Sequence, residues 1–418
     1  MKISLKEFIK ENNFSEWLLA LTCFVCNISQ MPELIGRSFA NYACYAVWLA
    51  VFAFAFFPRR QKLRFDFRMF IPLGLFSLYS VIIFLIFRLN FFSSNLFQPI
   101  CISVFVTVTS FLVGQNFSEG GLRIVSFGYI TSAALVAFDV YYQTFRGVDW
   151  LAADGYLYAS KNSASIIFAI AIVLSLFTFA KSRPVVALLL TAGFASVIFM
   201  TKSRASILSL MIIIVYIIIV ATKHRFAWLA VMGVFVSVIF LDKDMYRTFV
   251  EQIFLVNRDA DNITAITANR DIHFEYFLEH FGESWITGTG GTYLESFPLA
   301  ALMSYGVIGS VPVFVSAVLP IVVSFSDRGK KDLRTFRNLV CAINLLMLIN
   351  CLFEEQTPFG PGVKCYALWM LFGLYRGMRL QRSIENEQKA SADFVRPSDI
   401  QRREVSSSVP GKHSHSAR

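Results

Sequence analysis

Residues 163–180 read SASIIFAIAIVLSLFTFA, with no charge and no polar stripe of the kind a surface helix of a soluble domain carries. As a helix this run is about 27 Å long, close to the roughly 30 Å hydrocarbon core of a bilayer. It does not alternate polar and apolar residues, as a membrane barrel strand must. The same pattern recurs at 15–32, 38–57, 69–87, 97–114, 122–143, 184–201, 204–222, 226–241, 298–325, 337–354 and 364–380. The reading is an all-α integral membrane protein with about 12 transmembrane helices and one long loop between spans nine and ten.

Composition agrees. Of 418 residues 56% are hydrophobic and 16% charged, 44 are Phe, and the mean hydropathy is +0.58. A soluble domain is about a quarter charged. An ordinary soluble core and a disordered chain are both excluded. Seven cysteines, an odd and sparse count, exclude a disulfide scaffold. Cys23-x-x-Cys26 has redox-motif spacing, but it lies in an apolar run and reads as packing.

The net charge of +10 is a topology signal rather than a nucleic-acid footprint. With the N-terminus inside, alternate loops hold 27 of the 38 Lys and Arg residues, leaving 11 outside. An even number of spans then puts both termini in the cytoplasm. The segment 1–380 is the polytopic domain, with 242–297 inserted as an outer loop carrying ten acids against four bases. In that loop Ile272, Tyr276, Phe277 and Phe281 share a helix face, so a folded cap on the membrane surface is expected. Residues 381–418 are polar and are expected to be a disordered cytoplasmic tail.

Several polar residues fall together at the outer face in this topology. Lys161-Asn162 opens the sixth span, and Lys202-Ser203-Arg204 forms the turn between spans seven and eight. Arg270 and His273 share a face of the loop helix, Glu295 leads into span ten, and Asp139 and Glu354-Glu355 lie near span ends. Any one of the cations alone reads as snorkelling to lipid headgroups. Two cations in one tight turn, on the side where cations are scarce, suggest phosphate binding instead, for which the guanidinium fork is well suited. No His cluster occurs in the outer loops, and neither metal nor cofactor is expected.

The stretch Met200-Thr-Lys-Ser-Arg-Ala-Ser resembles the Ser-Arg motif of the O-antigen ligase and polymerase superfamily. Asn269-Arg270-Asp271, leading to Gly288-Thr-Gly-Gly, is similar to that family's second Arg and its glycine turn, and Tyr305-Gly-Val-Ile-Gly309 to its helix entry. The resemblance covers roughly residues 155–320. It departs at Glu295-Ser296, where ligases of the family carry His-Asn, which is more like the polymerase branch. The resemblance implies a bacterial inner-membrane glycosyltransferase with its active site facing the periplasm. Its substrate would be an undecaprenyl-diphosphate-linked oligosaccharide, and a chain-length regulator is a candidate partner. Arg204 and Arg270 would stabilise the diphosphate leaving group. Glu295 would be the base, with His273 as runner-up, and Lys161, Asn162, Lys202 and Ser203 would bind substrate. Lipid A-core ligation remains open, as does lipid-linked-sugar transport.

The charge asymmetry predicts that a single cysteine at residue 260 is labelled from the periplasm and one at residue 330 is protected. The reverse pattern would remove the basis for an outward-facing site.

Overall fold

The computed structural model describes residues 14–57, 66–118, 120–150, 161–247, 251, 270–326, 333–360 and 366–406. Among them every regular element is helical. The apolar runs become α1 (Phe14–Ile28), α2 (Ser38–Phe56), α3 (Ile71–Phe87), α4 (Phe97–Gly114), α5 (Gly121–Phe145) and α6 (Lys161–Phe179). They continue as α7 (Pro184–Met200), α8 (Arg204–Ala221), α9 (Arg225–Leu241), then, after α10 (Arg270–His280), α11 (Phe297–Ser326), α12 (Arg334–Asn350) and α13 (Tyr366–Ser406).

Among the described residues six helices are long and apolar enough to cross a membrane: Ser38–Phe56, Phe67–Phe87, Phe97–Gly114, Gly121–Phe145, Lys161–Phe179 and Phe297–Ser326. The helices α1, α7, α8 and α9 are apolar but shorter. Large side chains along α3 and α9, among them Leu75, Leu78, Leu85, Val231, Val234 and Phe240, are exposed. A soluble monomer does not carry apolar surface on that scale. The chain is an all-α, multi-pass membrane protein.

The stretch that reveals the class does not itself face lipid. Residues Ser163 to Ser175 of α6 are buried without interruption, because α6 is packed by α5, α7, α8 and α12. A helix that is apolar all round suits a protein interior as well as it suits a bilayer. Elsewhere close approach depends on small residues: a Cβ at Gly377 of α13 would lie 2.2 Å from the Phe111 carbonyl of α4, and one at Gly128 of α5 would lie 2.4 Å from the Ala20 carbonyl of α1. Cys23 and Cys26 are free and buried, and the Cys23 Sγ lies against the Met370 Sδ at 3.7 Å. They serve packing, as their setting suggests.

The helix α11 is broken. Gly306 has φ 64° and ψ −178° inside it, a conformation open to glycine and costly for other residues. Gly306 thus divides α11 into two helical stretches, and Tyr305-Gly306 stands where the second begins, nine residues beyond the start at Phe297. The break frees carbonyls that the preceding segment uses: Thr289 N–H donates to the Met303 carbonyl at 2.9 Å and Gly290 N–H to that of Ser304 at 3.0 Å. Val307 N–H, released on the other side, donates to the Trp285 carbonyl at 2.8 Å. Farther along, Pro320 interrupts the ladder again, and Asn344 of α12 spans the gap. Its amide donates to the Ala317 carbonyl at 3.0 Å and its oxygen accepts from Ile321 N–H at 3.1 Å. Lipid offers no substitute partner for either break.

One expectation needs correction. The chain does not lose its helix at residue 381, since α13 runs on to Ser406 as one 41-residue helix. Residues 407–418 lie outside the described part. On α10 Phe277 is buried, while Ile272 and Tyr276 are exposed. Of the loop's earlier part, residues 248–250 and 252–269 lie outside the description.

A methyl group at Gly306 would lie 2.2 Å from the Ile286 carbonyl, whereas one at Gly193 of α7 meets nothing within 4 Å. Gly306→Ala should lower stability by about 2–4 kcal/mol and Gly193→Ala should change it by no more than about 1 kcal/mol. Thermal unfolding in detergent compares the two.

Candidate functional site

Three helices begin at one end of the bundle, and each begins with a cation. Lys161 starts α6, Arg204 starts α8 and Arg270 starts α10. A helix N-terminus already carries partial positive charge, so these cations reinforce a field that favours an anion. Before Arg204 the chain turns tightly through Lys202, whose φ of 49° is left-handed. Ser203 occupies the capping position of α8 without capping it. Its buried hydroxyl instead donates to Asn162 Oδ1 at 2.8 Å and lies 3.1 Å from Ser206 Oγ.

Asn162 passes the connection on, since its amide donates to Glu354 Oε1 at 2.6 Å. Ser165 of α6 and Thr201, at the end of α7, lie 2.8 Å apart, and Asn350 donates to Ser209 at 2.6 Å. The segment 351–360 after α12 thus enters the site. Arg270 Nη2 donates to the Phe353 carbonyl at 3.2 Å, and the guanidinium carbon stands 5.8 Å from the Phe353 ring centroid. Glu295 Oε2 is 3.3 Å from Arg270 Nη2. One continuous set of contacts therefore runs from Ser203 through Asn162 and Glu354 to the neighbouring Phe353, and on to Arg270 and Glu295.

His273, one turn beyond Arg270, packs edge-on against Tyr293 with ring centroids 5.9 Å apart. Burial pushes the Tyr293 phenol up from its usual range, and the charges of Glu295, Glu355 and Glu354 push it further while Arg270 opposes them. Beside Tyr293 lies a cavity of about 310 Å³, whose polar wall includes Ser94, Asn95, Thr289, Thr292 and Glu355. Its shape depends on the broken helix, because the turn Gly288–Gly291 that walls it is the segment docked on the free carbonyls of α11. Tyr305, also buried, reaches from α11 to a short hydrogen bond with Ser94.

Glu355 is the most perturbed acid of the site. Burial raises its carboxyl from 4.5 to about 7, although a hydrogen bond from the Asn95 side chain acts the other way. Only 7% of the residue is exposed, so water does little to stabilise its charge.

All eight residues anticipated from the sequence lie in this region. Asn162, Ser203, Arg270 and Glu295 belong to the contact set, Lys161, Lys202 and Arg204 adjoin it in sequence, and His273 touches Tyr293. Asp139 belongs elsewhere on α5, where it is buried with Gln143 3.5 Å away. The sequence reading underrated the segment 353–355 and missed Ser94, Asn95 and Tyr293. Glu354-Glu355 was the available signal, two adjacent acids at the end of an apolar run; the α3–α4 connection had none. No protein-family model and no curated protein matches the chain.

Because burial favours the neutral carboxyl, Glu355 stabilises the fold fully below pH 4.5, and that contribution is lost as the pH rises through about 7. Melting temperatures of the wild type should therefore fall between pH 5 and pH 8 relative to those of Glu355→Gln. Parallel pH profiles of the two proteins would contradict the buried setting.

Proposed function

We propose that this chain is a membrane glycosyltransferase that polymerises lipid-linked repeat units of a bacterial surface polysaccharide, an O-antigen, capsule or exopolysaccharide. The donor is a glycan on undecaprenyl diphosphate. An acceptor sugar hydroxyl attacks the anomeric carbon, and the lipid diphosphate leaves with the electron pair of the broken C–O bond. Arg204 and Arg270 stabilise the charge that grows on the leaving oxygen, the largest electrostatic demand of such a transfer. Lys161 and Lys202 add to the field, while Asn162 and Ser203 hold the two cationic helix starts together.

One observation supports the reading above the others: the Ser203–Asn162–Glu354 hydrogen bonds and the Arg270–Phe353 hydrogen bond connect Ser203, the residue before Arg204, with the segment that holds Arg270. An apolar bundle with arginines at its outer end matches an amphiphile that combines a long lipid with a diphosphate. In this reading the chain crosses the inner membrane about twelve times with both termini cytoplasmic, and the cationic end faces the periplasm. A chain-length regulator would dock from the same side. A carrier of lipid-linked sugars would instead place its charges midway along broken helices. Here the break at Gly306 is lined by backbone and hydroxyl groups.

Deletion of the gene should leave surface lipid carrying single repeat units and no polymer. Loss of every attached unit, with lipid-linked polymer accumulating, would point to ligation onto lipid A-core instead. Arg204→Lys and Arg270→Lys keep the charge but lose the fork, so each should abolish polymer at normal protein level. Full polymer from both variants would mean that the arginines merely anchor in headgroups.

A further inference from the structure

The cationic end and the cavity are chemically different places. The cavity wall offers the hydroxyls of Ser94, Thr289 and Thr292, the amides of Asn90 and Asn95, and the carboxyl of Glu355. Among the described residues no Lys or Arg contributes to it. A diphosphate would find no counter-charge there and would meet an acid. A neutral polyol would find donors and acceptors in mixed order, with the Tyr293 ring as an apolar side. The volume of about 310 Å³ corresponds to roughly ten waters at about 30 Å³ each, enough for a sugar unit and too small for a lipid.

Resting on the glycosyl-transfer reading, we propose that this cavity seats the acceptor sugar and that Glu355 takes the proton from its attacking hydroxyl. Position supports the assignment. Glu355 is two residues from Phe353, whose carbonyl holds Arg270, and Tyr293 is two residues from Glu295, which pairs with Arg270. A sugar in the cavity therefore abuts the place where the donor's diphosphate would lie. The other acids are engaged: Glu295 is 3.3 Å from Arg270 and Glu354 accepts from Asn162 at 2.6 Å. Protonating either would weaken a contact that holds the cationic end. Glu355 has the neutral Asn95 side chain as its hydrogen-bond partner. In the step itself the acceptor oxygen bonds to the anomeric carbon, the carbon–oxygen bond to the diphosphate breaks, and the hydroxyl proton passes to the Glu355 carboxylate. Water then carries that proton away.

A carboxyl that titrates at about 7 suits a general base near neutral pH. The titratable groups around it are Tyr293, in the segment after α10, and Tyr305 of α11, with Glu354 next in the chain. The α3–α4 connection contributes Asn90, Ser94 and Asn95, which carry no charge. Turnover should therefore rise through about pH 7 on one group.

The test uses the full chain in lipid nanodiscs with three probes: undecaprenyl diphosphate, the lipid-linked repeat unit, and the oligosaccharide released from that lipid by mild acid. Glu355→Gln should bind undecaprenyl diphosphate within about threefold of wild type, yet lose turnover by about a hundredfold or more together with the rise at pH 7. Gly291→Leu fills the cavity and leaves every charge in place. Its Cβ would stand in ordinary contact, 3.7 Å from Ser94, so the variant should fold. It should weaken oligosaccharide binding, followed by saturation-transfer NMR, by about tenfold while diphosphate binding persists. Turnover of Glu355→Gln within about threefold of wild type would overturn the proton step. Unchanged oligosaccharide binding by Gly291→Leu, or none by the wild type, would overturn the cavity assignment even if Glu355→Gln fails to accumulate. Wild-type protein that binds oligosaccharide but no undecaprenyl diphosphate would instead sink the transfer reading and the proton step, leaving only a sugar site.

Discussion

Gly288 and Gly306 meet backbone to backbone, and neither has room for a single added carbon. A Cβ on Gly288 would lie 2.4 Å from the Ser304 carbonyl, and one on Gly306 2.7 Å from Gly288 N. This contact breaks a helix that is apolar for 30 residues, and it turns the exposed carbonyls of that break into the docking site of the Gly288–Gly291 turn. In a membrane protein a broken helix is expensive unless protein groups take up the freed hydrogen bonds. Here they do, and the cavity wall is the result. Tyr79 reinforces the junction: its hydroxyl donates to the Ile286 carbonyl at 3.2 Å, and its ring covers Gly309 so closely that a Cβ there would be 2.4 Å away.

The site follows from that junction and from the segment 351–360, which ties the separate parts together. The Phe353 carbonyl holds Arg270, Glu354 holds Asn162, Glu355 walls the cavity, and the Cys351 carbonyl accepts from Phe297 N–H at 2.9 Å at the start of α11. Three consecutive residues thus serve three neighbours. The opposite end of the bundle has its own polar contacts, with Ser118 N–H donating to the buried Glu16 at 3.0 Å and Arg376 paired with Asp66.

The three glutamates illustrate how environment divides labour among identical side chains. Glu295 is partly exposed and paired with a guanidinium. Glu354 is committed to an amide that links two helices. Glu355 is buried beside a neutral amide, and its proton affinity rises to about 7. The family resemblance singled out Glu295, whereas it is the Glu355 carboxyl that burial raises. Sequence position conveys charge and order; desolvation is a property of what surrounds a group after folding.

Sequence alone determined the class and the elements of this protein. Apolar runs of spanning length can be stable only as helices where water is absent, so the α1–α9 and α11–α13 segments were legible one by one. Charges are costly in lipid, so the residues of the cationic end also stood out, Arg204 and Arg270 among them. Tertiary structure decided which runs face lipid, since Ser163–Ser175 of α6, apolar throughout, lies wholly inside the protein. It also decided that a first helical stretch precedes Tyr305-Gly306, because the break between the two depends on contact with Gly288, eighteen residues earlier. The cavity was hidden for the same reason. Its wall draws on the α3–α4 connection, the glycine turn and the segment after α12, and no periodicity within one segment records which others it will meet.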